Sequence, residues 1–237
     1  MYTFQSRVRY SELNHQKGIM DPSGIINYFQ DCSTFQSEDM NRGLAYLSTK
    51  KRVWLLNSWY LKLLKPICLG DEITIGTWPY DFKGFYGYRN FIMKNPGDEV
   101  LAVASSIWVY IDTVTGRPTR IPADMNGYTI EPPYPMEQTE RKIEVNGIGN
   151  AFPPITVVKS NIDSYNHVNN GQYIKMAEQY IPDDFIISSI RVEYRMQAIL
   201  GDQIIPKIIA EKDRYLILLD SIDNRTYSIV EFIGTQP

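Results

Sequence analysis

Two stretches of this chain, SWYLKLLKPICLGDEI at residues 58–73 and SIRVEYRMQAILGDQI at residues 189–204, share one pattern. In each, an alternation of apolar residues leads into a Leu-Gly-Asp-x-Ile sequence. Alternation is typical of a β-strand whose side chains point to two faces, and Gly followed by Asp is typical of a tight turn. A repeat of this length predicts a chain built from two similar units.

A second pair of segments lies upstream of these strands. SELNHQKGIMDPSGIINYFQD at residues 11–31 matches SNIDSYNHVNNGQYIKMAEQ at residues 160–179 when the two are aligned without gaps. In this alignment Gly18 stands opposite His167. Each half of the chain is therefore expected to contain a loop, a helix, a long strand and a turn, in that order.

Local signals predict one helix after each loop. In the first half Asp21 can cap a helix and Pro22 can occupy its first position, where the missing N–H costs nothing. Residues at helical spacing follow, and Gly43 is the predicted stop. In the second half Asn170 is the predicted N-cap. Strands are predicted after the helices, near residues 52–64, 72–80, 85–95, 99–112, 185–198, 203–212, 214–220 and 226–233.

This order of elements predicts an α+β fold. One helix followed by a long antiparallel sheet must bury its apolar side against that sheet. Two such units are expected to pair their sheets edge to edge, because this removes exposed strand edges. The predicted fold is a tandem (double) hotdog, two helix-plus-antiparallel-sheet repeats with their sheets joined edge to edge. We expect an N-terminal hotdog at residues 1–125, a linker at 126–150 and a C-terminal hotdog at 151–237.

Composition excludes several classes of protein. The 237-residue chain is 43% hydrophobic and has a net charge of −3, so nothing attracts it generally to nucleic acid or to anionic membranes. It has no apolar run of the length that a membrane span needs. Cys32 and Cys68, without a CxxC motif, favour reduced cytoplasmic thiols over a disulfide or a zinc site. We therefore expect no metal and no cofactor.

The segment SNIDSYNHVNN, residues 160–170, is the candidate for chemistry. It carries His167, one of only two histidines, just before the predicted second helix. A helix start offers free backbone N–H groups, here near Asn170 and Gly171, that can stabilise an oxyanion. A neutral histidine beside it can take a proton from water, and Asp163 can orient the ring or balance its charge. The alternative is that these polar residues only cap the helix and satisfy the loop backbone.

The first half of the chain favours the catalytic interpretation. Gly18 takes the place of His167 there, although a polar cluster that served only the fold would be expected in both halves. The difference suggests that the C-terminal half is catalytic and that the N-terminal half is structural or binds substrate.

The run from Asp163 to Asn170, the following GQYIKMAEQYIP and the strand VEYRMQAILGD resemble the acyl-acyl carrier protein (acyl-ACP) thioesterases of plants and bacteria. DPSGIINYFQD and GDEITIGTWP look like the first half of that family, so the resemblance covers nearly the whole chain. It implies hydrolysis of the thioester that joins a fatty acyl chain to the phosphopantetheine arm of acyl carrier protein. It also implies an N-terminal hotdog that holds the acyl chain, and catalytic roles for Asp163 and His167.

Two positions differ from the family pattern. The family has Asn two residues before the histidine, where this chain has Tyr165 followed by Asn166, so either side chain is a candidate replacement. The family usually has Glu-Cys where this chain has Gln197 and Ala198. Ala198 has no sulfur that could act as a nucleophile. Gln197 can orient a water molecule by hydrogen bonds but cannot accept its proton. His167 is therefore the better candidate for the general base. The predicted catalytic residues are Asp163, Asn166, His167 and Gln197.

Other functions stay open at this stage. A coenzyme A thioesterase or an acyl-thioester dehydratase is compatible with the same fold. An acyl-binding protein with weakened catalysis is compatible with Tyr165 and Gln197. The expected partner is acyl carrier protein, whose acidic surface can meet the basic cluster Lys50, Lys51 and Arg52, with Lys62 and Lys65 further on. We expect no nucleic acid, no membrane span, and a monomer or homodimer.

Overall fold

The structure is a computed structural model that describes residues 1–14, 18–122, 127–137 and 139–236. His15 and the predicted domain boundary between residues 125 and 126 lie outside the described residues. The helices are α1 (Pro22–Asp39), α2 (Leu44–Thr49) and α3 (Asn170–Glu178). The strands are β1 (Tyr2–Arg7), β2 (Arg52–Leu63), β3 (Glu72–Lys83), β4 (Tyr86–Lys94), β5 (Val100–Asp112), β6 (Arg117–Pro118), β7 (Asn150–Ala151), β8 (Ile155–Thr156), β9 (Ile186–Tyr194), β10 (Gln203–Glu211), β11 (Arg214–Ser221) and β12 (Thr226–Thr235).

The chain divides into two units, Met1–Asn57 with Leu63–Gln138, and Ser58–Lys62 with Thr139–Pro237. In the first unit the sheet has the order β1-β3-β4-β5-β2, and α1 packs against β3 and β1. In the second unit the order is β9-β12-β11-β10-β7, and α3 packs against β11 and β12. Ser58–Lys62 of β2 pair with β9 as antiparallel partners within the second unit. Each unit is thus a helix on an antiparallel sheet, which confirms the predicted α+β class.

The repeated Leu-Gly-Asp turn has the same geometry in both units. Gly70 and Gly201 lie in the left-handed region, with φ of 83° and 89°. Asp71 and Asp202 each accept, through Oδ2, the N–H of the residue three positions earlier, at 2.8 and 3.0 Å. Glycine adopts this backbone without steric cost, and the short Asp side chain reaches the turn amide. The shared sequence pattern therefore encodes a shared backbone turn.

The residues predicted on one face of the first helix are buried, as expected. Ile25, Phe29, Cys32 and Gln36 lie on the buried face of α1, and the ring centroids of Phe29 and Phe91 are 5.3 Å apart. Burial raises the pKa of the Cys32 thiol to about 12. The thiol therefore stays protonated and packs as a small apolar group.

The first helix ends earlier than predicted. Asn41 adopts a left-handed backbone, with φ of 54°, and the N–H of Arg42 donates to Ser37 O at 2.8 Å. These are features of a Schellman motif in which asparagine takes the place of glycine, so α1 stops at Asp39. Gly43, the predicted stop, is instead the N-cap residue of α2.

The segment predicted as a linker contributes to the packing of each unit. In the first unit Trp78 donates its indole N–H to Pro132 O at 3.0 Å. In the second unit Ile143 is 3% exposed and packs against buried residues of β11 and β12. The composition of the segment, rich in Pro, Gly and polar residues, does not reveal these contacts because they involve strands distant in sequence.

Candidate active site

His167 lies in a short loop that leads into α3. An isolated bridge between Ile162 and Val168 closes the loop, and the N–H of Asp163 donates to His167 O at 2.8 Å. Asp163 Oδ1 accepts the N–H of Tyr165 at 2.8 Å and the N–H of His167 at 3.3 Å. The carboxylate therefore holds the loop backbone as a turn, and the imidazole extends from a fixed backbone.

The two candidate replacements for the family asparagine lie at the tip of this loop. Asn166 has a left-handed backbone, with φ of 62°, which asparagine tolerates better than most residues. Its side chain is exposed, and Tyr165 is 44% exposed. Both side chains are therefore on the surface of the loop.

The imidazole of His167 is partly buried. Its Nδ1 is buried and has no hydrogen-bond partner among the described residues. Asp163, which we expected to orient the ring, bonds to the loop backbone. Buried polar atoms without partners are rare and require an explanation, of which a catalytic role is one. Nδ1 of His167 therefore forms no hydrogen bond with any residue that the structure describes.

The N-cap of α3 is Asn169, so the prediction that Asn170 caps the helix is wrong. Asn169 Oδ1 accepts the N–H of Gly171 at 2.9 Å, which satisfies one donor of the first helical turn. The N–H of Asn169 donates to Asn161 O at 2.9 Å, and this bond helps to keep residue 169 extended. Asn170 is consequently the first helical residue.

The corresponding loop of the first unit is one residue longer. Its Asn14 N–H donates to Ile19 O at 2.7 Å. This bond corresponds to the one from the Asp163 N–H to His167 O in the second unit. The isolated bridge just outside each of these bonds agrees with this pairing. The counterpart of His167 is therefore Ile19 and not Gly18, because the alignment without gaps missed the extra residue. An aliphatic side chain in the first unit takes the place of the imidazole.

The strand that leads towards Gln197 ends before it. β9 stops at Tyr194, and the N–H groups of Arg195 and Met196 both donate to Tyr227 O, at 2.9 and 3.1 Å. This bulge interrupts the alternation of faces, so the strand does not determine the orientation of Gln197. The side chain of Gln197 is exposed.

Ala198 joins this segment to the histidine loop. It is 0% exposed, and its C=O accepts the N–H of Val168 at 2.9 Å. Its own N–H donates to the hydroxyl of Tyr173 in α3, also at 2.9 Å. Val168 and Ala198 are thus joined by a backbone hydrogen bond. His167 directly precedes Val168 and Gln197 directly precedes Ala198, so the fold brings these two predicted residues close together.

Two tyrosines that the sequence analysis did not assign to the site lie beside this bond. Tyr194 donates its hydroxyl to Asn170 O at 3.0 Å, and the ring centroids of Tyr194 and Tyr173 are 5.8 Å apart. Burial raises the pKa of both hydroxyls, so each stays protonated at neutral pH and acts as a hydrogen-bonding group. The sequence feature that could have identified these residues is a tyrosine on the buried face of a helix or strand, because a buried tyrosine hydroxyl usually has a hydrogen-bond partner.

The predicted residues therefore fall into two groups. The loop and the first turn of α3 carry Asp163, Tyr165, Asn166, His167, Asn170 and Gly171, and the segment after β9 carries Gln197. In the described part of the chain, no group of three His, Cys, Asp or Glu residues could hold a metal, and no helix is long and apolar enough to cross a membrane. An imidazole beside a helix start is an arrangement suited to acid–base chemistry.

Both halves of the chain match models of one protein family. The model of the acyl-ACP thioesterase N-terminal domain matches residues 1–128, and the model of the acyl-ACP thioesterase C-terminal domain matches residues 150–229. The two matches do not overlap, and together they extend over most of the chain.

Curated relatives show a more distant similarity. The chain is 25% identical over 162 residues to a chloroplastic palmitoyl-acyl carrier protein thioesterase of Gossypium hirsutum, and 26% identical over 162 residues to one of Arabidopsis thaliana. Each match covers 62% of this chain and 39% of the relative. The chain thus spans well under half the length of these curated relatives.

Solved structures confirm the predicted tandem hotdog fold. An acyl-ACP thioesterase from Bacteroides thetaiotaomicron superposes with a TM-score of 0.90 at 19% identity, over 98% of this chain and 96% of that one. A 12:0-ACP thioesterase from Umbellularia californica superposes with a TM-score of 0.84 at 16% identity, over 99% of this chain and 98% of that one. At these identities the likeness establishes the fold alone.

Proposed function

Because the chain belongs to the acyl-ACP thioesterase family, we propose that it hydrolyses fatty acyl-ACP thioesters to a free fatty acid and acyl carrier protein. The observation that carries this proposal is the placement of His167 just before the start of α3, with an Nδ1 that has no hydrogen-bond partner among the described residues. Both halves of the chain match the family. Three of the relatives described above are named for palmitoyl or 12:0 substrates, so these two acyl chains are the first to be tested.

In the proposed mechanism His167 takes a proton from water while the water oxygen attacks the carbonyl carbon of the thioester. The carbon–sulfur bond then breaks, the acyl group leaves as the fatty acid, and the imidazolium returns the proton to the phosphopantetheine sulfur. Backbone N–H groups near Asn170 and Gly171 stabilise the oxyanion that forms on the way. Since the Gly171 N–H donates to Asn169 Oδ1, the oxyanion must compete with that side chain.

The other predicted residues act through the loop backbone or through water in this proposal. Asp163 holds the turn that carries His167. Tyr165, Asn166 and Gln197, which are all exposed, can orient the attacking water by hydrogen bonds. None of these three is a carboxylate, so none accepts the proton in place of the imidazole.

We further propose that acyl carrier protein contacts the end of α2. Lys50 and Lys51 are exposed there, whereas Arg52 forms an ion pair with Asp112 at 2.7 Å. The exposed ammonium groups of the two lysines can therefore attract an acidic partner more strongly than the guanidinium of Arg52, whose charge is balanced by Asp112. We place the reaction in the cytoplasm, where free thiols such as those of Cys32 and Cys68 stay reduced.

The proposal is tested by measuring free fatty acid released from acyl-ACP thioesters of several chain lengths and from the matching coenzyme A thioesters. We expect kcat/KM to be higher for the acyl-ACP thioesters than for the matching coenzyme A thioesters. Faster release from coenzyme A would assign a coenzyme A thioesterase, and an enoyl product would assign a dehydratase. Tight binding of acyl ligands with no product from any thioester would assign an acyl-binding protein.

The role of Asp163 gives a separate prediction. Asp163→Ala removes the oxygen that accepts two N–H groups of the loop, and we expect kcat to fall about 100-fold because the imidazole is no longer held in position. Asp163→Asn keeps that oxygen, and we expect a loss of about tenfold or less. Steady-state kinetics of both variants decide the matter. Equal losses would mean that the negative charge, and not the turn, is what the reaction needs.

A further inference from the structure

A chain of hydrogen bonds connects the histidine loop to the interior of α3. The N–H of Val168, the residue after His167, donates to Ala198 O, and the N–H of Ala198 donates to the Tyr173 hydroxyl, both at 2.9 Å. Tyr173 is 2% exposed, so this hydroxyl is held by the packing of the helix against the sheet. The Tyr173 hydroxyl thus supports, through Ala198, the backbone bond that ends the loop, in addition to the bonds made by Asp163.

Tyr194 completes this arrangement from the strand side. Its hydroxyl donates to Asn170 O at 3.0 Å, which ties the end of β9 to the first residue of α3. Its ring meets that of Tyr173 edge-on, with 69° between the ring planes. The two side chains thus form one packed pair, which bonds to the helix start and to the segment that carries Ala198.

The first unit has the same backbone turn. There the N–H of Met20 donates to Ile67 O at 2.7 Å, and this bond is the counterpart of the one between residues 168 and 198. Gly24 in α1 donates to Asp21 O at 2.9 Å, just as Gln172 in α3 donates to the N-cap carbonyl at 2.9 Å. The two helix starts are therefore equivalent residue by residue.

Neither tyrosine has a counterpart with a hydroxyl. Tyr173 is the fourth residue after the N-cap of α3, and Ile25 occupies that position in α1. Tyr194 lies four residues before Ala198, and Leu63 lies four residues before the counterpart of Ala198. The turn thus forms in the first unit without these hydroxyls, and the two tyrosines belong to the unit that contains His167.

We propose that Tyr173 and Tyr194 are positioning residues for His167: their hydroxyls fix Ala198 and the start of α3 relative to each other, and so fix the loop that carries the imidazole. This inference rests on the proposed function. Removal of the Tyr173 hydroxyl leaves the buried N–H of Ala198 without its acceptor, and the backbone must shift to find another. A displacement of about 1 Å at a reacting group can lower a rate by about 100-fold.

The kinetic test uses Tyr173→Phe and Tyr194→Phe, with Tyr28→Phe as the matched control. Tyr28 is a buried tyrosine of α1 whose hydroxyl donates to Glu12 at 2.9 Å, in the unit that does not contain His167. We expect kcat to fall about 10- to 100-fold in the first two variants and KM to stay near the wild-type value, since water activation is disturbed and not acyl binding. The control is expected to lower the thermal midpoint like the others and to keep its kcat.

A second readout does not depend on activity. The chain has only two histidines, so its imidazole NMR signals are few, and His15→Gln identifies those of His167. We expect the His167 ring signals to shift in Tyr173→Phe and Tyr194→Phe and to stay in place in Tyr28→Phe. If one tyrosine variant does not fold, the other decides.

Wild-type kcat with unshifted ring signals in the folded variants would overturn the positioning role. A lower kcat with unshifted ring signals would also overturn it, because the tyrosines would then act on a different step. If the wild-type protein released no fatty acid from any thioester, the proposed function would fail, while the NMR comparison would still decide whether the tyrosines hold the imidazole.

Discussion

Replacing His167 with alanine is expected to lower kcat for acyl-ACP hydrolysis by about 10²- to 10⁴-fold, which is the contribution typical of a positioned acid–base group. The loop offers no substitute, because Asp163 is bonded to the backbone and the exposed neighbours are not bases at neutral pH. KM is expected to change little, since the imidazole acts on water and not on the acyl chain. Steady-state kinetics with one acyl-ACP substrate measure both quantities.

The other histidine provides the control for this experiment. His15→Ala removes an imidazole elsewhere in the sequence and is expected to keep the wild-type kcat. If kcat of His167→Ala stayed within about twofold of the wild-type value, the loss would be far smaller than removal of a general base causes. That result would contradict the proposed mechanism and assign the proton transfer to another group.

Replacing Glu231 with alanine is expected to cost about 3–5 kcal/mol of unfolding free energy, which is the usual loss when one partner of a buried ion pair is removed. Glu231 is 3% exposed and bonds to Arg191 at 3.0 Å and to Arg214 at 2.7 Å. Both arginines also donate to backbone carbonyls in the segment 140–144, at 2.7 to 3.2 Å. Loss of the carboxylate leaves two guanidinium groups without their buried partner and loosens that segment. Urea unfolding followed by circular dichroism measures the change.

Glu211→Ala is the matched control, because Glu211 pairs with the same Arg214 at 3.2 Å but is 51% exposed at its side chain. Exposed pairs contribute about 0–1 kcal/mol, so this variant is expected to unfold close to the wild-type midpoint. Similar losses for the two variants would show that burial does not determine the strength of these ion pairs.

Part of the candidate site could be predicted from local sequence. The Asn-rich loop, the helix after it and the residue His167 are visible as a contiguous pattern, since capping and turn formation depend on neighbours in the chain. The contacts of Ala198 with Val168 and Tyr173 could not be predicted in this way. They join residues 25 to 30 positions apart in the sequence, and only the packing of α3 on its sheet brings these residues together. The catalytic roles of the loop residues stay predictions until the variants are measured.

The sequence by itself determined the two-unit repeat, the long strands apart from the end of β9, and the glycine turns at Gly70 and Gly201, because alternation and left-handed glycines are properties of a few consecutive residues. The tertiary structure decided that Ile19 is the counterpart of His167, that Asn169 caps α3, and that the segment between the units is packed. The cap and the loop pairing are hydrogen bonds between residues only two to five positions apart, which the sequence allows at more than one adjacent position, whereas the packing of the segment depends on apolar contacts with strands distant in the chain. Such contacts are set by strand register and helix packing, which leave no local signature.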